Sequence, residues 1–178
     1  MLTFIVILVA ILAIAIDLVL VYAATRSDAF VVRRETNVRA PAERVFALVK
    51  DFHNWSAWSP YEKMDPAMTR TYGGEPSGVG ATYEWTGNNK VGAGRMEIVE
   101  AASPSRIAIK LDFIKPFEGH NVAEFTMEPN AGGTHVVWAM RGSMPFVAKV
   151  MSLFLDMDRL VGKDFESGLA NIRQIVET

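Results

Sequence analysis

The chain has 178 residues, half of them hydrophobic, with a formal net charge of -2 and no cysteine. That length suits one domain of ordinary size plus a further segment, and is cramped for two full domains. Its scattered Lys and Arg argue against a nucleic-acid partner, which needs clustered cations to release phosphate counterions. Without cysteine there can be no disulfides, thiolate nucleophiles or Cys-ligated zinc.

Leu2 to Ala24 is almost unbroken Ile, Leu, Val and Ala, and at ~1.5 Å rise per residue a helix of that length crosses the ~30 Å hydrocarbon layer. Asp17 interrupts it at a cost of about 2.5–3.5 kcal/mol, which the surrounding Leu, Ile, Val and Phe, each returning roughly 0.3–0.6 kcal/mol, outweigh. Residues 1–25 are therefore expected to be a single-pass transmembrane anchor, with one domain in 26–178. Two other readings stay open. One is a cleaved signal peptide, for which Val21-Tyr22-Ala23 offers a cleavage site but Met1-Leu2-Thr3 lacks a basic n-region; the other is a buried helix of the domain. Arg26, Arg33 and Arg34 follow the helix and nothing basic precedes it, so the positive-inside rule puts the domain on the cytoplasmic side. A signal-anchor inserted the other way would put it outside.

Phe30 to Arg39 reads as a strand, and Pro41 opens a helix over Ala42 to Lys50 with Glu43 at its positive end. Asp51 to Trp58, with Phe52, Trp55 and Trp58 at a spacing of three, reads as a second short helix ended by Ser59-Pro60. Alternation of apolar and polar residues then marks an antiparallel meander: Thr69 to Gly73, Ala81 to Thr86, Gly94 to Ala101, Arg106 to Phe113, Asn121 to Glu128 and Thr134 to Gly142. Ile107, Ile109, Leu111 and Phe113 share one face, as do Ala123, Phe125 and Met127, and Val136, Trp138 and Met140; these are expected on the concave side of the sheet.

From Met144 to Val176 the apolar period becomes helical, with Val150, Leu153, Phe154, Met157, Leu160, Val161, Phe165, Leu169, Ile172 and Val176 on one stripe. This predicts one long helix lying on the sheet. Gly162 and Gly168 weaken it by about 1 kcal/mol each relative to Ala, so a kink or a close approach is expected there.

The order of elements is joined by specific sequence matches: Ala40-Pro41-Ala42-Glu43-Arg44-Val45-Phe46, Phe52-His53-Asn54-Trp55-Ser56-Ala57-Trp58-Ser59-Pro60, Asp65-Pro66, Gly78-Val79-Gly80 and Val136-Val137-Trp138. Through these the chain resembles the START-like, or SRPBCC, superfamily of polyketide cyclases/dehydrases and lipid-transport proteins, over nearly the whole soluble domain. The resemblance implies an α+β helix-grip fold (β-α-α-β6-α), a curved antiparallel sheet around a long C-terminal helix, here preceded by a transmembrane helix. It also implies a cavity for a lipid or other hydrophobic small molecule. It names no reaction, since one fold serves many chemistries.

Large side chains expected to line such a cavity are Trp55, Trp58, Tyr83, Trp85, Met96, Ile109, Leu111, Phe113, Phe125, Met127, Trp138, Met140, Phe154 and Met157. The same residues serve equally as core filling, and Trp55 and Trp58 suit packing best. His53, His120 and His135 have no spacing that would place two on one metal, so no metal or other cofactor is expected. Glu84, Arg95, Glu97, Glu124 and Arg141 lie in strands, with Glu84 and Glu124 out of phase with the apolar face, which points to an exterior charge lattice. No catalytic constellation stands out. The expected function is binding, carriage or sensing of an apolar molecule at the membrane. The alternatives are a cyclase/dehydratase-type enzyme acting on a polyketide-like or other carbonyl-rich substrate, and a membrane accessory that binds another protein.

Overall fold

The computed structural model describes residues 2–154 and 156–178. From Thr3 onward helix α1 (Leu2–Ala24) projects its apolar side chains outward, and only near its end does Ala23 become buried, where α1 packs on a later helix. It is long and apolar enough to cross a membrane and contributes nothing to the domain core, which removes the buried-helix reading.

The domain is built on seven antiparallel strands: β1 (Ala29–Val38), β2 (Thr69–Gly74), β3 (Ala81–Thr86), β4 (Ala93–Ala102), β5 (Arg106–Lys115), β6 (Gly119–Asn130) and β7 (Gly133–Ser143). Their order is β1-β7-β6-β5-β4-β3-β2, a meander whose last strand pairs with the first, Val32 opposite Met140 and Arg34 opposite Trp138. A register shift between Ile98 and Glu100 breaks the β4–β5 ladder and leaves Val99 exposed, the local twist that a bulge gives a bending sheet. Each expected strand is present, most of them a residue or two longer than the alternation predicts.

Between β1 and β2 the chain makes three short helices. In α2 (Ala42–Val49), Ala42, Val45, Phe46 and Val49 are buried, an i, i+3, i+4, i+7 stripe. The expected helix over Asp51 to Trp58 is instead a 3-10 turn, Phe52–Asn54, followed by α3 (Trp55–Trp58). Asp51 caps the turn by accepting from the His53 backbone N–H at 2.9 Å. Ser59-Pro60 does not simply end this segment. Pro60, with no N–H to leave unpaired, is the first residue of α4 (Pro60–Met64).

The long C-terminal helix is present as α6 (Met157–Val176), but it does not run back to Met144 as expected: α5 (Phe146–Ser152) is a separate helix. Asp156 takes an extended conformation and accepts from the Arg159 backbone N–H at 3.0 Å, starting α6 afresh. Phe165, Leu169, Ile172 and Val176 form the buried stripe of α6, whereas Phe154 and Leu160, counted on that stripe by periodicity, are exposed. The two α6 glycines are places of close approach. A Cβ on Gly168 would stand 2.6 Å from Trp138 Cζ3, and one on Gly162 would fall on the Arg34 guanidinium. Arg34 in turn binds Glu166 (Nε to Oε1, 2.7 Å) and Asp158 (3.0 Å), fastening β1 to α6.

Candidate ligand cavity

Inside the grip, where α6 and the α3–α4 segment cross the concave face of the sheet, a cavity of about 270 Å³ remains. Alternation along the strands places its floor: Tyr83 and Trp85 from β3, Met96 from β4, Leu111 and Phe113 from β5, Ala123 from β6, Trp138 and Met140 from β7. Trp55, Ser59, Tyr61 and Glu62 cover it from the short helices, and Val161, Asp164 and Phe165 from α6. Lys90 and Val91, in the β3–β4 loop, and the buried Met68 complete the lining.

Eight of the side chains expected at a cavity therefore line this one: Trp55, Tyr83, Trp85, Met96, Leu111, Phe113, Trp138 and Met140. Trp58, Ile109, Phe125 and Met127 are buried in the packing behind it. Trp138 lies stacked on Phe165 (ring centroids 3.9 Å, planes 6° apart) and on Phe125 (4.9 Å), with Trp58 edge-on at 5.5 Å. Phe154 faces away, 75 % exposed, and lines a separate open groove beside the end of α1. The side chain of Met157 lies outside the described residues.

The indole donors divide into two kinds. Trp55 Nε1 donates to the Val49 carbonyl at 3.0 Å and Trp85 Nε1 to that of Val91 at 2.9 Å. Trp58 and Trp138 are buried, and neither Nε1 has an acceptor among the described residues. A buried unpaired donor costs about 1–3 kcal/mol, and of these two tryptophans only Trp138 borders the cavity.

The polar part of the wall is a cluster that the sequence reading does not single out. Glu62 is 8 % exposed, and its Oε1 accepts from the Tyr83 hydroxyl at 2.6 Å while Oε2 accepts from Arg70 Nε at 2.7 Å. Arg70 also donates to the Met68 carbonyl at 2.7 Å. Burial, then the bond to Glu62, pushes the Tyr83 hydroxyl well above its ordinary range, and Glu62 holds the Arg70 guanidinium protonated. Burial likewise raises Tyr61, with the nearby Asp164 adding to it, and raises the Asp164 carboxyl. The available signal for the missed residues is Ser59-Pro60 as a helix start, which would have set Tyr61 and Glu62 on a first turn facing the sheet.

Other titratable groups lie elsewhere. His53 is mostly exposed, bound to Asp51 (2.8 Å) and stacked on Tyr72; His120 binds Asp112 at 2.7 Å; His135 is near Glu35 on the outer face. Glu124 joins Arg106 (2.9 Å) and Arg141 (3.3 Å), and Arg95 lies between Glu84 and Glu97, the expected exterior lattice.

Comparisons agree with this architecture. The family model described as "Polyketide cyclase / dehydrase and lipid transport" matches residues 29–177. Among solved structures, protein CV1439 from Chromobacterium violaceum is 16 % identical, with 83 % of this chain and 98 % of that one covered and a TM-score of 0.60. The di-domain ARO/CYC BexL from the BE-7585A biosynthetic pathway is 15 % identical, with 88 % of this chain and 52 % of that one covered and a TM-score of 0.64. Ara h 8.0201 is 11 % identical, with 83 % and 97 % covered and a TM-score of 0.56. The chain thus spans about half of the di-domain protein, and at these identities the likeness is one of fold. No curated protein matches.

Proposed function

The chain belongs to the polyketide cyclase / dehydrase and lipid transport family, and from that premise we propose that it holds an apolar small molecule or lipid in the cavity under α6, tethered to a membrane by α1 and without converting its guest. The observation that carries this reading is the cavity itself: a mostly apolar space of about 270 Å³ bordered by Trp138, whose buried N–H has no acceptor among the described residues. Small-molecule pockets typically measure ~300–1,000 Å³, so the guest is a compact molecule or one segment of a longer lipid. Its apolar part lies on Met96, Leu111 and Met140, and a carbonyl or hydroxyl oxygen accepts from Trp138. Methionine-rich walls adapt to guests of varied outline. Arg26, just past the end of α1, favours a cytoplasmic domain by the positive-inside rule.

The test uses the full chain in lipid nanodiscs: native mass spectrometry for co-purifying molecules, and titration with a fluorescent fatty-acid analogue read through indole quenching. Saturable one-to-one uptake supports the proposal. An absence of both co-purified guest and saturable quenching overturns it.

A second reading, favoured by the Tyr83–Glu62–Arg70 cluster, is a cyclase/dehydratase-type enzyme acting on a polyketide-like or other carbonyl-rich substrate. Glu62 then accepts a proton from carbon or hydroxyl, with Tyr83 fixing the carboxylate. A carbonyl-rich probe that is retained unchanged on incubation separates carriage from conversion.

A further inference from the structure

Away from the cavity, α5 is inside out. Lys149, its charged residue, is 7 % exposed, while Phe146, Val147 and Met151 stand on the surface, Val147 at 67 %. Phe154 continues that surface one turn on. A helix bounded by water places its apolar face inward and its lysine outward, so the inversion implies that the medium outside α5 is itself apolar.

The position of α5 says which medium. It packs on α1, and the short segment that leaves α1 for β1 is pinned to it twice: the Met144 N–H donates to the Asp28 carbonyl at 2.7 Å, and Lys149 Nζ binds Asp28 Oδ1 at 2.5 Å. The 23 residues of α1, at ~1.5 Å each, span about 34 Å, slightly more than the ~30 Å hydrocarbon layer. Its last turn therefore sits at the headgroup boundary. There Arg26 lies over the Tyr22 ring at 5.9 Å, an aromatic and a cation at the level where both are favoured. From Ala24 to Asp28 the chain can extend only ~14 Å, so α5 cannot stand far from the lipid. The exposed Val31 of β1 and Phe154 line one groove with Arg26, continuous with the end of α1.

We propose that α5 and Phe154 form a second membrane contact, lying in the phospholipid interface beside the point where α1 leaves the bilayer and fixing the tilt of the domain on the surface. This rests on α1 being a retained span. Lys149 is turned away from that surface and neutralised by Asp28, whose carboxylate is exposed at the end of the linker, so that Phe146, Val147, Met151 and Phe154 can enter the acyl boundary as an amphipathic interfacial helix does.

The chain has no cysteine, so single probes can be placed without background. Leu12→Cys, Val147→Cys, Phe154→Cys and, as a control on a remote turn, Val79→Cys are each labelled with an environment-sensitive fluorophore. The full chain is then reconstituted in phosphatidylcholine/phosphatidylglycerol vesicles carrying doxyl quenchers at shallow or deep acyl positions. The expected result is deep quenching at 12, loss of most fluorescence with the shallow quencher at 147 and 154, and none at 79. Quenching at 12 without quenching at 147 and 154 overturns the interfacial contact and leaves the anchor standing. No quenching at 12 overturns the anchor and this proposal with it. These four positions are exposed, so the fold carries the labels.

Discussion

The Tyr83 hydroxyl donates to Glu62 across 2.6 Å, joining a strand of the cavity floor to the helix that covers it. The other oxygen of Glu62 holds Arg70, so one buried carboxylate ties β3, α4 and β2 together at the wall of an otherwise apolar space. Removing its charge takes the counter-ion from the guanidinium, whereas removing the tyrosine hydroxyl deletes one bond and leaves the ion pair.

Glu62→Gln is therefore expected to lose about 1–3 kcal/mol of stability and Tyr83→Phe about 1 kcal/mol, with the double variant losing less than the sum because both act through one carboxylate. Urea unfolding of the full chain in detergent micelles measures this cycle. Strict additivity would mean that Tyr83 and Glu62 do not act as a unit.

Ala123 is a small residue on the cavity floor. Ala123→Leu puts three more carbons into the cavity without touching the polar cluster, and is expected to weaken uptake of the fatty-acid probe at least tenfold, about 1.4 kcal/mol. Unfolding should shift less than uptake does, because the added atoms enter space that is empty in the guest-free protein. Unchanged uptake would place the guest elsewhere.

The two glycines of α6 separate helix propensity from crowding. Alanine in a helix interior gains about 1 kcal/mol over glycine. At Gly168 the new methyl meets the Trp138 ring, which is clamped between Phe165 and Phe125 and cannot retreat. Gly168→Ala should destabilise by about 1–3 kcal/mol, as overpacked cores do. At Gly162 the obstacle is the far end of the Arg34 side chain, which can swing into water. Gly162→Ala should then be near neutral in urea unfolding, since the propensity gained offsets the surface ion pairs lost.

On the outer face Arg106, and less strongly Arg141, hold the Glu124 carboxyl below its ordinary 4.5. A depressed folded value means that the unfolded chain takes up the proton first. The stabilisation is complete above pH 4.5 and disappears as pH falls through the lower folded value. Glu124→Gln should accordingly show a smaller fall in melting temperature between pH 5 and more acidic solutions than the wild type, in low salt. Parallel curves would show that the lattice adds nothing to stability.

Much of this fold is legible in the residues because a half-buried strand must alternate. Ala81–Thr86 has the expected ends, and Ile107, Ile109, Phe125, Met127, Val136 and Trp138 all face the interior as their phase requires. The break before α6 is not, because periodicity registers which residues are apolar and not what they face. Phe154 and Leu160 continue a stripe in number while pointing outward. The Glu62 cluster is hidden for a related reason: a buried carboxylate is viable only through partners 8 and 21 residues away, which no local pattern records. Cavity and core cannot be told apart from composition either, since Phe125 and Met140 are alike in character and only one borders the space.

The pairing of β1 with β7 carries a consequence for biogenesis. The strand that follows α1 finds its hydrogen-bonding neighbour about a hundred residues later, Ala29 opposite Ser143, so its edge stays unpaired until most of the polypeptide has been made. A delay in producing the C-terminal third therefore leaves β1 exposed to the wrong neighbours.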